Sequence, residues 1–239
     1  MFVTGFPAGP WGTNCFLVAA EKNSECVIVD PGMDAVAQIE DLVRENGLRP
    51  VAVMLSHGHL DHTWSVYPVC NGYSIPAYVH SQDDTMLSDP LSGLSSDMTM
   101  ALQQLTGGQL HRIEPDDVRP LDDFGDVDIA GLPITVRHGP GHTRGSVSFH
   151  LPASDVPPVM LSGDLLFAGS IGRTDLPGGD HAAMMRSLGD VVLPLDDETV
   201  VLPGHGPQTT VGRERATNPY LRQLLTGDGT SPGAARRGM

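Results

Sequence analysis

Residues 51–65 read "VAVMLSHGHLDHTWS". An apolar run stops at Ser56, and His57, His59, Asp61 and His62 follow within six positions. The run is short and rich in β-branched residues, which favours a buried strand over a helix. Imidazole and carboxylate are the donor types that hold divalent cations, and four of them at one strand end form a ligand cluster. A single histidine in such a place reads as structural; four donors together do not.

Moving outward, three more apolar runs stop at a donor. "LPITVRHGPGHTRGS" (132–146) carries His142 in a Gly-rich turn, "PPVMLSGDLLF" (157–167) ends on Asp164, and "ETVVLPGHGPQTT" (198–210) ends on His205 between two glycines. In each, a strand fixes the position and a tight turn aims a side chain outward, so that loops at one sheet edge can converge. His138 rivals His142, but His138 continues the strand pattern while His142 sits in the turn. His80, His111, His150 and His181 are read as structural. Seven candidates result, and a catalytic zinc needs only about three protein ligands plus water. Seven suit two metals sharing one carboxylate, for which Asp164 is the natural bridge. The opening motif alone does not divide its four donors between the metals.

The chain has 239 residues and a net charge of −15, with 29 acidic against 14 basic residues, of which only Lys22 is a lysine. That balance repels phosphate backbones and anionic lipid, so neither nucleic acid nor membrane is expected as a partner. Cys15, Cys26 and Cys70 make an odd number without CxxC spacing and read as buried small hydrophobes. "MFVTGFPAGPWG" has no basic n-region, and no apolar run approaches the ~20 residues that cross a bilayer. A cytoplasmic location is expected.

Eight short runs read as strands: "NCFLVAA", "ECVIVD", "PVAVML", "IPAYVH", "LPITVRH", "GSVSFHL", "PPVMLSGD" and "ETVVLPGH". One helix is predicted over "AVAQIEDLVREN", capped by Asp34 and closed by Gly47. Weaker helical patterns cover 63–70, 81–87, 96–105 and 181–189, while 88–120 is loosely patterned. Met98, Met100, Met184 and Met185 read as packing. This is a mixed α/β pattern, with one domain over 1–225 and a flexible tail over 226–239.

"SHGHLDH" resembles the HxHxDH signature of the metallo-β-lactamase superfamily, and His142, Asp164 and His205 follow in that family's order and contexts. The likeness runs from "NCFLV" and "VIVDPG" to "RATNPYL". It is greatest to short glyoxalase-II-like hydrolases, through "GDLLFAGSIGRTDLPGGD" and "LPGHGPQTTVGRER". The resemblance implies a four-layer αββα sandwich with a dinuclear site at the edge between two sheets. It also implies that His57, His59 and His142 hold one metal and Asp61, His62 and His205 the other. Asp164 then bridges them, and Asp61 and Asp164 are the catalytic carboxylates. Two divalent ions are expected, zinc first, with iron or manganese compatible with the same donors. Asp30 in "VIVDPG" is a candidate partner to a ligating histidine.

The activity so implied is hydrolysis of a 2-hydroxyacyl thioester by a metal-bridging hydroxide, with a small-molecule thioester as substrate. The same fold also serves mononuclear iron persulfide dioxygenases, on a triad equivalent to His57, His142 and Asp164, and lactone hydrolases. A β-lactamase is disfavoured by the aspartate at 164 and the absence of a signal segment. Long glyoxalase II enzymes contact glutathione through a Lys and a Tyr after the bridging aspartate; Arg173 and Asp175 stand there instead. Arg173 is left as the candidate anchor for a substrate carboxylate. The thiol carrier, glutathione or mycothiol, stays open, as does the oligomeric state.

Overall fold

In the strand Glu25–Val29 successive side chains enter different cores. Cys26 and Ile28 belong to one apolar cluster, Val27 and Val29 to another. The same alternation runs through Ala52–Leu55, where Ala52 and Met54 face one way and Val53 and Leu55 the other. A strand covered on both faces has no need of polar residues, which is why these segments read as unbroken apolar runs.

The computed structural model describes residues 1–121, 125–152 and 156–227. Its first half comprises β1 (Phe2–Ala8), β2 (Thr13–Ala19), β3 (Glu25–Val29), α1 (Val36–Asn46), β4 (Arg49–Met54), α2 (Leu60–Thr63), α3 (Val66–Tyr73), β5 (Ala77–Val79), α4 (Thr85–Ser88), α5 (Ser96–Thr106) and β6 (Val118–Pro120). The second half comprises β7 (Asp126–Ile129), β8 (Leu132–His138), β9 (Val147–Leu151), β10 (Val159–Gly163), α6 (His181–Ser187), a π turn over Leu188–Val192, β11 (Val200–Pro203), β12 (Thr209–Thr210), α7 (Val211–Thr217) and α8 (Pro219–Thr226). Strands β1 to β6 form one sheet in sequence order, and β12 to β7 form the other.

Three apolar clusters define four layers. Val27, Val29, Ala52 and Met54 of the first sheet meet Val136, Phe149, Leu161 and Leu202 of the second between the sheets. On the outer face of the first sheet lie Ile39 of α1 and Val66 and Val69 of α3. Met184 of α6, Val211 of α7 and Leu221 of α8 cover the second. The architecture is the αββα sandwich. Within it β3, β4, β5 and β6 are parallel, as are β10 and β11, while β8 is antiparallel to β9 and β9 to β10. Strands β8, β10 and β11 therefore end in the same direction, and the loops beyond them can share one edge, where ligands collect in sheets of this kind.

Several local expectations change. Asp34 does not cap α1; its φ is +58°, and Ala35 holds the cap position without a side-chain bond. The Ala35 amide instead donates to Gly32 O and Ser65 Oγ, so a tertiary contact replaces the local cap. Gly47 does close α1, in the left-handed region at φ +64°. The helix expected at 63–70 is two pieces, α2 and α3, parted at Ser65, whose amide and hydroxyl donate to Pro31 O and Gly32 O. Met100, expected to pack, is 55% exposed, whereas Met184 is fully buried. Cys15, Cys26 and Cys70 are free and buried, and burial pushes the Cys26 and Cys70 thiols up to about 12. Thr226 ends α8, and the rest of the expected tail beyond Gly227 lies outside the described residues. Among the described residues no helix is long and apolar enough to cross a membrane.

Candidate metal centre

The loops after β4, β8, β10 and β11 bring the seven donors together. His57, His59 and His142 each offer an atom within 4.8 Å of the others, and so do Asp61, His62 and His205, with His57, His62 and Asp164 forming a third such group. His59 Nδ1 lies 2.8 Å from His142 Nε2, and His205 Nε2 lies 3.1 Å from Asp61 Oδ2. Asp164 stands between the triads: Oδ1 is 3.4 Å from His62 Nε2, and Oδ2 is 3.4 Å from His142 Nε2 and 3.8 Å from His205 Nε2.

The ring orientations are set from behind. His62 Nδ1 faces Asp30 Oδ2 at 3.0 Å, and His142 Nδ1 donates to the Arg173 carbonyl at 2.7 Å. Each contact fixes the proton on Nδ1 and leaves the Nε2 lone pair pointing into the cluster. Asp30 is buried; its carboxylate also accepts from the Ser56 amide and hydroxyl at 2.8 and 2.6 Å, and Ser56 Oγ is 3.0 Å from His57 Nδ1. One carboxylate thus steadies two of the candidate ligands. Asp30 adopts φ +50° immediately before Pro31, a strained conformation of the sort held at functional sites.

Three further residues grip the loops, none of them singled out by the sequence. Asp83 is fully buried. Its Oδ2 accepts from the Gly58 amide (3.0 Å) and the Thr143 hydroxyl (2.6 Å), and its Oδ1 from the Gly145 amide (2.8 Å). It therefore joins the His57–His59 loop to the His142 loop. Asn14 donates its side-chain amide to Pro203 O and Gly206 O, both at 2.9 Å, clasping His205 from either side. Thr13 Oγ1 donates to Asp61 Oδ2 at 3.4 Å. Close packing explains Gly204: a Cβ there would collide with Asp164 Oδ1 and sit 2.7 Å from His62 Cε1.

Electrostatics divide the donors. Burial pushes His57 well below the usual imidazole range, and its neighbours His62 and His142 push the same way. His59 is lowered to about 3, first by burial and then by His142. Both stay neutral, as lone-pair donors must. Burial would also lower His62, but Asp61, Asp164 and Asp30 outweigh it and hold it well above its usual value, so a cation binding at Nε2 would displace a proton from it. Burial favours protonated Asp61 and Asp164, yet the surrounding histidines, His62 foremost, keep both carboxyls below the ordinary range.

This donor set fits a pair of divalent cations. His57 Nε2 is buried with no hydrogen-bond partner in the protein, and Asp164 Oδ1 is buried with only the His62 ring nitrogen at 3.4 Å, a costly state unless a cation accepts their lone pairs. A cavity of about 550 Å³ opens on the cluster. Arg173 lines it, but its guanidinium fork is held by the Asp175 carboxylate at 2.7 and 2.8 Å. His138 lies away from the donors, with Nε2 2.8 Å from the Arg144 carbonyl and its ring stacked on His80 at 4.4 Å.

The fold and these seven donors define a metallohydrolase type of protein, and the chain belongs to the metallo-β-lactamase superfamily, whose domain matches residues 8–205. An uncharacterised protein of Mycobacterium tuberculosis is 44% identical over 227 residues, covering 94% of this chain and 99% of that one. A probable metallo-hydrolase of Bacillus subtilis, YqgX, is 35% identical (90% and 95% covered), and the hydroxyacylglutathione hydrolase GloC of Haemophilus influenzae 31% (90% and 95%). Among solved structures, the BLEG-1 B3 metallo-β-lactamase superposes with a TM-score of 0.79 at 38% identity, covering 92% of this chain and 99% of that one. TTHA1623, crystallised in a di-iron-bound form, gives 0.74 at 36% identity (92% and 100%). ETHE1 from Myxococcus xanthus gives 0.71 at 21% (97% and 93%), a likeness of fold.

Proposed function

We propose that the protein hydrolyses the thioester of a 2-hydroxyacyl thiol, using two divalent metal ions held by the seven donors, with Asp164 shared between them. The observation that carries this reading is the pair of donor triads flanking the Asp164 carboxylate at the floor of a cavity. The likeness to GloC supports the thioester as the bond cleaved. When bound, the metal pair supplies a nucleophile from water near neutral pH and positive charge facing the substrate carbonyl. The chain's own part is to orient and to exclude. Asp30 and the Arg173 carbonyl fix the tautomers of His62 and His142, Asp164 and Asp61 balance the charge, and the cavity shields the carbonyl from bulk water. Water oxygen adds to the carbonyl carbon, the C–S bond breaks, and the products are a carboxylate and a thiol. A thiolate leaves readily because its conjugate acid is ordinarily near pKa 8.5, so no separate general acid is needed.

A mononuclear iron dioxygenase would occupy three donors and leave Asp61 and His205 without a charge to face, so the hydrolase is favoured. Purified protein is expected to hold close to two metal equivalents, zinc foremost, and to cleave hydroxyacyl thioesters faster than lactones or β-lactams. A single iron with oxygen uptake on a persulfide would favour the dioxygenase, and failure to turn over any thioester would sink the hydrolase. Asp164→Asn is expected to lower kcat by at least about a hundredfold and to lose one of the two metals. Full activity in that variant would refute the shared carboxylate.

A further inference from the structure

Above the donors the cavity is walled mainly by hydrocarbon, with Ser170 and Arg173 as the polar side chains. Trp11 stands at its mouth, α5 supplies Met98 and Leu102, and Leu94, Phe167 and Ile171 complete the wall. Apart from the candidate metal-binding histidines, Arg173 is the sole basic side chain lining it among the described residues. Its Nε and Nη2 pair with Asp175 at two points, while Nη1 lies 4.0 Å from Met98 Sδ; the same pair holds the Asp175 carboxyl down to about 2, fully ionised near neutral pH. Above the metal pair the cavity therefore offers a substrate carboxylate a single cation, already paired with Asp175, and the chain carries a net charge of −15. Trp11 is 38% exposed, one of few large apolar side chains at the surface, and its ring meets Trp64 edge-on at 6.0 Å. An exposed aromatic at the lip of an apolar cavity marks a surface that a ligand covers.

We infer that this cavity selects thioesters whose group beside the scissile carbonyl is apolar and uncharged, and that it discriminates against carboxylate-bearing carriers such as glutathione. The inference rests on the hydrolase reading for its reaction, and on the Trp11–Met98–Leu102–Phe167 wall for its selectivity. A carboxylate entering this wall would lose hydration and meet only Arg173, whose charge Asp175 already balances. A benzyl or alkyl group would gain burial instead, worth about tenfold in kcat/KM for each well-fitted methylene.

The test compares 2-hydroxyacyl thioesters of benzyl mercaptan, N-acetylcysteamine and glutathione on the metal-loaded protein. In parallel, S-benzyl and S-glutathionyl thioethers that cannot be hydrolysed are titrated by tryptophan fluorescence. The benzyl thioester is expected to exceed the glutathione thioester by about tenfold or more in kcat/KM, mainly through KM. Trp11→Glu, which places a carboxylate at the mouth, should raise KM for the benzyl substrate about tenfold while metal content and thermal midpoint hold. Equal or better turnover of the glutathione thioester, or a benzyl KM untouched by Trp11→Glu in a folded, metal-replete variant, would overturn the inference. Tight binding of the S-benzyl thioether with no thioester turned over would leave the cavity's selectivity standing and refute the hydrolase instead.

Discussion

Asp30 is the residue on which most of the centre leans. Its carboxylate reaches His62 directly and His57 through Ser56, and its backbone is held at φ +50° to do so. Asp30→Asn keeps the size but puts an amide where His62 needs an acceptor. Metal affinity is expected to fall about 10–100-fold, read by competition with a chelator; an unchanged affinity would show that His62 needs no such support. His150 offers a pH test remote from the donors. Burial, and then Arg137, lower its imidazole to about 4, against about 6.5 in an unfolded chain. Stability from keeping it neutral is present above pH 6.5 and is lost as pH falls from there through 4, because the unfolded chain takes up the proton first. His150→Gln should therefore flatten the loss of stability over that interval by about 1–3 kcal/mol, measured by urea unfolding at pH 7.5, 5.5 and 4.5. Parallel curves for the variant and the parent would contradict the assignment.

At the scale of elements, Asp83 acts on loops. It accepts from backbone amides on both sides of the first sheet-to-sheet junction, at Gly58 and Gly145, and from the Thr143 hydroxyl next to His142. Asp83→Asn retains one acceptor oxygen and loses the other. The triad of His57, His59 and His142 should then release its metal about 10–100-fold more easily, while the triad of Asp61, His62 and His205 keeps its own; equal weakening of both would reduce Asp83 to general packing. The same scale explains what the sequence concealed. All eight runs read as strands are strands, and they fill the inner positions of both sheets. The four unread strands, β1, β6, β7 and β12, are the four sheet edges. Edges tolerate proline and charge, as in "VRP" and "DVDI", so no unbroken apolar run announces them. The donors were readable because each follows a strand in the local sequence. Asp83 and Asn14 were not, since their partners lie 25 to 192 positions away and no local pattern connects them.

For the whole molecule, the centre is a joint between two sheets. His57, His59, Asp61 and His62 come from the half carrying β1 to β6, and His142, Asp164 and His205 from the half carrying β7 to β12. Beside the apolar interior, Val147 N donates to Ser56 O at 2.8 Å and Asn14 N to Gly204 O at 2.7 Å, and the Asn14 and Asp83 side chains add further ties. Metal bound across the joint adds to folding stability by mass action. Removing it with a chelator is expected to lower the thermal midpoint by roughly 5–10 °C, for metal held at a hundred times its Kd. A midpoint indifferent to chelation would mean that the sheets lock without it.

That division has a consequence for the order in which the molecule is made. A chain emerging from its N-terminus offers four donors once the strand β4 and its loop are complete, yet His205 follows 143 residues after His62. Through that interval the inner face of the first sheet has no second sheet to meet, and half a cage has nothing to close it. The last donor arrives with β11, flanked by the two carbonyls that Asn14 has been in place to meet since the second strand was formed. Asn14 thus waits for Pro203 and Gly206, and the centre is finished only when β2 meets the loop after β11.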